Sequence, residues 1–371
     1  CALYSFAFYR LEVMHYRYAL GEGLAMMLLP LFIAVFARLL RCKERDFKTR
    51  RRTVLLLVVT FSAFLQSHLL SCMMLLFLGI VLVLFFGYGL VRNKTWQDLL
   101  IAIGITILIN LWFLVPLKEA MGQDYQMRAA TNEGISENAL FVSQLFFPSG
   151  TFDGVTEDLL DGVYNEMPLT LGLLMSVAFI FELAIVPLVC KKRKSDERCK
   201  YFFFCLGMSV FYMFLCTNLC PWFLVREGGP LFMKLFGVVQ FPWRYLSMAS
   251  LFLTVGCGYG LLCVEKEKWT PLAYGILAAF ALFCVLQFNQ KITESDYPRR
   301  VYSEAMRKRE YITKDYLDVN TDIHAIPTVE ELLGSPYLIS VDRQGSNLTA
   351  NISNQTECSQ SVDVPLFLFL G

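Results

Sequence analysis

Histidine is almost missing from this chain: His15, His68 and His324 are the only three among 371 residues. That leaves no histidine cluster of the kind that holds zinc. No Cys-x-x-Cys pair occurs either. The twelve cysteines are scattered and lie mostly inside apolar segments. Cys216 and Cys220 stand one helical turn apart, a spacing that more often marks packing residues than ligands. No metal site is therefore expected from spacing. The net charge of +1 gives no case for nucleic-acid binding from overall charge. There is no initiating methionine at Cys1 and no signal-peptide pattern. The chain stops at Gly371, straight after the strand-like run VDVPLFLFL, so a longer parent protein is expected at both ends.

What is abundant is apolar surface. The chain is 56% hydrophobic, with 32 phenylalanines and a positive mean hydropathy, against roughly 45–50% for a soluble domain. Apolar segments near 21–40, 53–66, 69–90, 99–117, 168–189, 201–219, 244–264 and 270–288 predict an all-α polytopic membrane protein with about eight spans. The loops between them alternate in charge. Segment 41–52 carries seven basic residues against two acidic, and segment 190–200 carries six against two. Loops 91–98 and 265–269 hold two basic residues each. Loop 118–167 carries only Lys118 and Arg128 against nine carboxylates. Positive loops stay inside, so 41–52, 91–98, 190–200 and 265–269 are expected in the cytoplasm and 118–167 outside. Residues 1–20 mix aromatics with charge and suit an interfacial helix. Loop 220–243 suits a re-entrant or surface-lying segment.

Residues 1–289 form the transmembrane domain on this reading. Residues 290–371 are an incomplete extracytoplasmic domain, helical over 297–318 and then β. The stretches 337–343, 347–353 and 361–369 alternate like strands, with Gly345 in the first turn. They make the start of a small outer β domain.

Four groups near the outer boundary could carry chemistry. Arg17 and Glu22 flank the start of a span. A carboxylate entering an apolar span is costly, whereas arginine can serve as a snorkelling anchor. His68 sits where two spans meet and could act as a base or bind phosphate; alone, it reads better as a polar turn residue. Arg244 follows Pro242 and Trp243, where its planar fork suits a phosphate; composition alone slightly favours an aromatic-belt anchor. The acidic loop could bind a cation or sugar hydroxyls, although most of its carboxylates suit a solvated loop. A divalent cation stays open as a cofactor. The triplets at Asn347, Asn351 and Asn354 match a glycan acceptor pattern, which is common by chance.

The run YRLEVMHYRYALGEGLAMMLLPL (9–31), the SH of LQSHLL (65–70), QFPWR (240–244) and REYITKDYL (309–317) resemble shared landmarks of YfhO-like bacterial membrane proteins. Some of these are labelled 6-pyruvoyl-tetrahydropterin synthase-related. In order and spacing the resemblance covers nearly the whole chain. It implies a GT-C-like glycosyltransferase of the bacterial plasma membrane, with a polyprenyl-phosphate sugar as donor and a cell-envelope acceptor at the outer surface. The catalytic carboxylate of such enzymes would precede Cys1. Arg17, Glu22, His68 and Arg244 would then hold the donor's phosphate and sugar. A lipid-linked saccharide transporter or flippase, or a non-catalytic scaffold of envelope assembly, are the alternatives.

Overall fold

The computed structural model describes residues 2–15, 17–41, 47–120, 135–136, 138–146, 169–192, 196–227, 239–265, 267–294, 338–344 and 347–352. Most of the acidic loop, residues 295–337 and the expected third strand 361–369 lie outside the described residues. The chain divides into two units, one of 1–114 with 132–297 and one of 115–131 with 298–371. The sequence suggested a boundary at 289/290.

In the first unit two short helices, α1 (Ala2–Ser5) and α2 (Phe8–His15), precede α3 (Leu20–Arg41), α4 (Phe47–Ser67), α5 (Leu69–Arg92) and α6 (Trp96–Ile109). After α7 (Leu111–Ala120) and the one-turn α8 (Val142–Phe146) come α9 (Gly172–Lys192), α10 (Arg198–Cys216) and the short α11 (Phe223–Glu227). A 3-10 turn, Pro242–Tyr245, leads into α12 (Leu246–Cys263), and α13 is Thr270–Glu294.

Five of these are long and apolar enough to cross a bilayer: α3, α5, α9, α10 and Pro242–Cys263. A sixth crossing arises if α6 and Leu111–Glu119, bent by 68°, count as one. The other two expected spans are helical but fall short for separate reasons. The start of α4 is basic (Lys48, Arg50, Arg51, Arg52), which leaves a short apolar stretch. In α13 the apolar part is Thr270–Leu286, about 25 Å at the usual helical rise.

Polar groups explain two features of this half of the bundle. The expected span 99–117 is broken at Asn110, which is fully buried. Its Nδ2 donates to Ser62 Oγ at 2.9 Å and to the Thr106 carbonyl at 2.7 Å, while its Oδ1 accepts from Gln66 Nε2 at 2.7 Å. The break is thus stitched to α4 by a satisfied buried network. At the other end of α4, Arg50 grips Asp98 of α6 through Nε at 2.7 Å and Nη2 at 2.9 Å, a bidentate pair.

Residues 1–20 do not form one surface helix. Tyr4, Ala7, Tyr9 and Val13 join the hydrophobic core, and Glu12 is fully buried. The reason is packing: α1 and α2 lie against α3, α9, α12 and α13. Helix α12 itself is the most enclosed of the long helices, 72% of its apolar window being buried between α9 and α10. The chain also returns to the end of α10 through Leu140, whose N–H donates to Cys216 O and whose carbonyl accepts from Asn218, both at 2.9 Å.

In the second unit an antiparallel hairpin joins β1 (Leu338–Gln344) and β2 (Asn347–Ile352). Gln344 pairs with Asn347 and Ser340 with Asn351, with an irregularity between Leu338 and Ser340. These strands match the alternating stretches expected at 337–343 and 347–353. The turn at Gly345 lies outside the described residues.

Candidate anion site at the helix N-termini

The starts of α3, α5 and α12 meet at one end of the bundle. The motif Gly21-Glu22-Gly23 explains how α3 gets there. A Cβ on Gly21 would lie 2.5 Å from the Ser67 carbonyl oxygen and 3.7 Å from the His68 Cβ, at the α4–α5 junction. A Cβ on Gly23 would lie 2.1 Å from the Met14 sulfur of α2. At Gly21 the close atom is backbone, which cannot yield to a side chain, whereas at Gly23 it belongs to the flexible Met14 side chain. The α2–α3 turn is closed by Arg17 N–H donating to the Glu12 carbonyl at 2.9 Å and Ala19 N–H to Val13 at 3.0 Å, with Tyr18 in the left-handed region at φ 51°.

This turn makes an ion pair of two expected site residues. Arg17 Nη1 donates to Glu22 Oε2 at 3.1 Å. The other carboxylate oxygen, Oε1, accepts from the Tyr9 hydroxyl at 2.5 Å. The Arg17 guanidinium also lies 4.3 Å from the centroid of the Trp243 ring, a cation–π contact. The pair is not helical, as a five-residue spacing within one helix would have it; Arg17 precedes α3.

His68 is the N-cap of α5. Its Nδ1 accepts the Ser71 N–H at 3.3 Å and faces Ser71 Oγ at 2.9 Å. An Nδ1 that accepts a backbone N–H leaves the proton on Nε2, which is then a donor. Burial pushes the imidazole below its ordinary value; Glu22 opposes this, while Arg244 and Arg17 reinforce it. His68 therefore offers a neutral N–H, with Glu22 and both arginines within electrostatic reach.

Arg244 completes the group. It is 7% exposed and Trp243 4%, so neither is the surface anchor that composition favoured. Gln240, at φ 62°, turns the chain so that Arg244 Nη1 donates to the Val239 carbonyl at 2.9 Å and to Gln240 Oε1 at 3.0 Å. The guanidinium carbon lies 4.9 Å from the Phe241 ring centroid, and Phe241 stacks on Trp243 at 5.0 Å. Among the described residues Arg244 Nε has no hydrogen-bond partner, and no carboxylate lies at ion-pair distance.

The structure thus brings all four expected residues within electrostatic reach of one another. Sequence reasoning missed Tyr9, Glu12, Gln240 and the burial of Trp243. Tyr9 and Glu12 stand in the same YRLE…YR…GE block as Arg17 and Glu22, which was the available signal. Glu12 is fully buried, with neither oxygen hydrogen-bonded among the described residues. Burial pushes its carboxyl up to about 8, with Arg17 opposing and Glu22 reinforcing. Burial thus favours its protonated form at neutral pH. Among the described residues two guanidinium charges then face one ion-paired carboxylate, which leaves the excess positive charge on Arg244. Comparison with protein-family models, with curated proteins and with solved structures finds no match to this chain.

Proposed function

We propose that the chain is the membrane portion of a GT-C-type glycosyltransferase-like protein of the bacterial plasma membrane. It takes a sugar from a polyprenyl-phosphate carrier and gives it to a cell-envelope acceptor at the outer surface. The observation that carries this is Arg244, a buried cation with no carboxylate at ion-pair distance among the described residues. Burying an uncompensated charge costs several kcal/mol, which an anionic ligand would offset. Three helix N-termini gather at the same place, and each favours negative charge. A phosphate fits best, because its oxygens take the guanidinium fork bidentately.

In the reaction, the acceptor oxygen bonds to the sugar's anomeric carbon as the bond from that carbon to the carrier phosphate breaks. The phosphate leaves with the electron pair, and the acceptor hydroxyl gives up its proton to solvent. Arg244 and the Nε2–H of His68 stabilise its growing charge. Glu22 and Tyr9 fix Arg17 beside it. Eight spans, with loops 41–52, 91–98, 190–200 and 265–269 cytoplasmic, put this end of α3, α5 and α12 at the outer boundary, where a lipid phosphate lies.

Two measurements test the reading. The purified protein should bind a polyprenyl-phosphate sugar, with free polyprenyl phosphate competing and the uncharged polyprenol not; equal competition by the alcohol removes the phosphate site. For orientation, single cysteines replacing Ala130 and Gly345 in a cysteine-free version should react with an impermeant reagent from outside. Cysteines replacing Arg45 and Ser195 should not. Labelling at 195 from outside would overturn the topology and the outer-face site together.

The break at Asn110 favours a second reading, a lipid-linked saccharide flippase, since interrupted helices line transport sites. Release of polyprenyl phosphate on adding acceptor supports the transferase. Movement of intact donor between leaflets supports the flippase.

A further inference from the structure

At the opposite end of the bundle two cysteines from different helices come together. Cys199 opens α10 and Cys263 closes α12, 64 residues later, and both are buried. Their sulfurs are 3.7 Å apart. A carboxylate oxygen of Asp196 lies within 4.8 Å of both. We propose that these three side chains bind a divalent ion of the zinc class, with solvent in the fourth position. This does not rest on the lipid-phosphate reading.

The competing account is that the thiols merely pack, in a small apolar cluster with Ile185, Val189 and Phe202. Two observations favour the metal. First, two thiolates about 2.3 Å from a tetrahedral zinc stand about 3.8 Å from each other, which is the separation already present. Second, the third donor is held in place. Asp196 Oδ1 accepts from the Arg198 N–H at 2.9 Å, and Arg198 Nε reaches Oδ2 at 2.9 Å. Such an outer partner commonly orients a metal-binding carboxylate. To reach a metal–ligand distance the carboxylate has to close by about 1 Å, which a side chain beginning a helix can do. Two thiolates, one carboxylate and one divalent ion sum to a single negative charge, beside Lys192 and Arg198, which also pair with Glu267 at 3.3 Å and Glu265 at 3.5 Å. Binding releases the two thiol protons to solvent, so affinity rises with pH. Sequence spacing hid this group because its donors come from separate helices.

The test uses the full chain in detergent, reduced with a phosphine and titrated with Co(II), whose thiolate complexes absorb strongly in the near ultraviolet. One equivalent should produce this band, and Zn(II) should bleach it. Cys263→Ser should abolish it, and Cys284→Ser, a buried cysteine outside the group, should leave it unchanged. Arg198→Ala, which keeps all three donors, should weaken cobalt binding roughly 10–100-fold. No band in the wild type, or a band surviving in Cys263→Ser, overturns the proposal. If Cys263→Ser does not fold, Asp196→Asn decides: undiminished cobalt affinity there overturns it, and a loss supports it.

Discussion

Glu12→Gln should flatten the pH dependence of stability between about 4.5 and about 8 and make the protein more stable than wild type at the upper end of that range. Glu12 is fully buried and lacks hydrogen-bond partners among the described residues. Its carboxyl is raised from 4.5 to about 8, chiefly by burial. A group whose folded value is raised holds its proton more tightly in the folded state. Its contribution is whole below the unfolded value and is lost as pH rises through the folded one. A shift of this size corresponds to about 5 kcal/mol, comparable with the whole stability of many domains. Glutamine has the same shape and never ionises, so the share of the slope due to Glu12 should vanish, while Glu182, equally buried with neither oxygen hydrogen-bonded among the described residues, keeps its own. Its buried amide still lacks partners, at a cost of about 1–3 kcal/mol. The two curves should therefore cross: wild type ahead near pH 5, the variant ahead near pH 8. Thermal unfolding in detergent across this range decides it. A variant whose slope equals that of wild type would show that Glu12 is not buried as a neutral acid.

The same titration bears on the anion site. While Glu12 is protonated, Glu22 is the only ion-paired carboxylate among the described residues facing Arg17 and Arg244. Once Glu12 ionises, the excess positive charge is cancelled and the site should hold a phosphate less well. The glutamine variant should keep its affinity above pH 8 where wild type loses it. Burial of an acid in α2 is thus tied to what the neighbouring cations can bind.

The residues show how far sequence carries. Long apolar runs bounded by basic loops are legible, because spanning length and charge are one-dimensional properties; α3, α5, α9, α10 and α12 follow from them. The break at Asn110 is not, since it depends on Gln66 and Ser62 of a different helix reaching the same amide. Arg17 and Glu22 are legible as a pair because they are close in sequence, although the left-handed Tyr18 rather than a helical turn joins them. That His68 and Arg244 reach the same place depends on tertiary packing. The glycines of GEG are the local trace of it, since they admit the α4–α5 junction on one side and Met14 on the other. Glu12 was hidden by its neighbours, because a short segment rich in tyrosine and charge looks interfacial whether it lies on the bundle or within it. Cys199 and Cys263 show the limit most plainly, because no spacing rule spans 64 residues.

Arg244→Lys should keep insertion and folding intact and weaken binding of a polyprenyl-phosphate sugar about tenfold to a hundredfold. The argument turns on what each cation can do in this pocket. An anchor needs a positive charge on a long stem, and lysine supplies both. A bidentate contact with phosphate needs a planar fork, which lysine lacks. Arg244 already uses Nη1 on the Val239 carbonyl and the Gln240 side chain, which fixes the plane of the guanidinium and leaves Nε without a partner among the described residues. Lysine can take over the carbonyl contacts or reach the phosphate, but its single nitrogen cannot hold the same geometry for both. A charge-assisted hydrogen bond is worth roughly 1.5–3 kcal/mol, which converts to the stated loss in affinity. Arg244→Met should lose more, because it removes the charge as well as the fork, and it should relieve the cost of burying a cation that has no carboxylate at ion-pair distance among the described residues. Met should therefore be as stable as wild type or more so while binding worst. That opposition between stability and binding is what a ligand site predicts and a structural arginine does not. Equal donor affinity in wild type and Arg244→Lys, or destabilisation by Met, would return Arg244 to a purely structural role and leave the glycosyltransferase proposal without its main support.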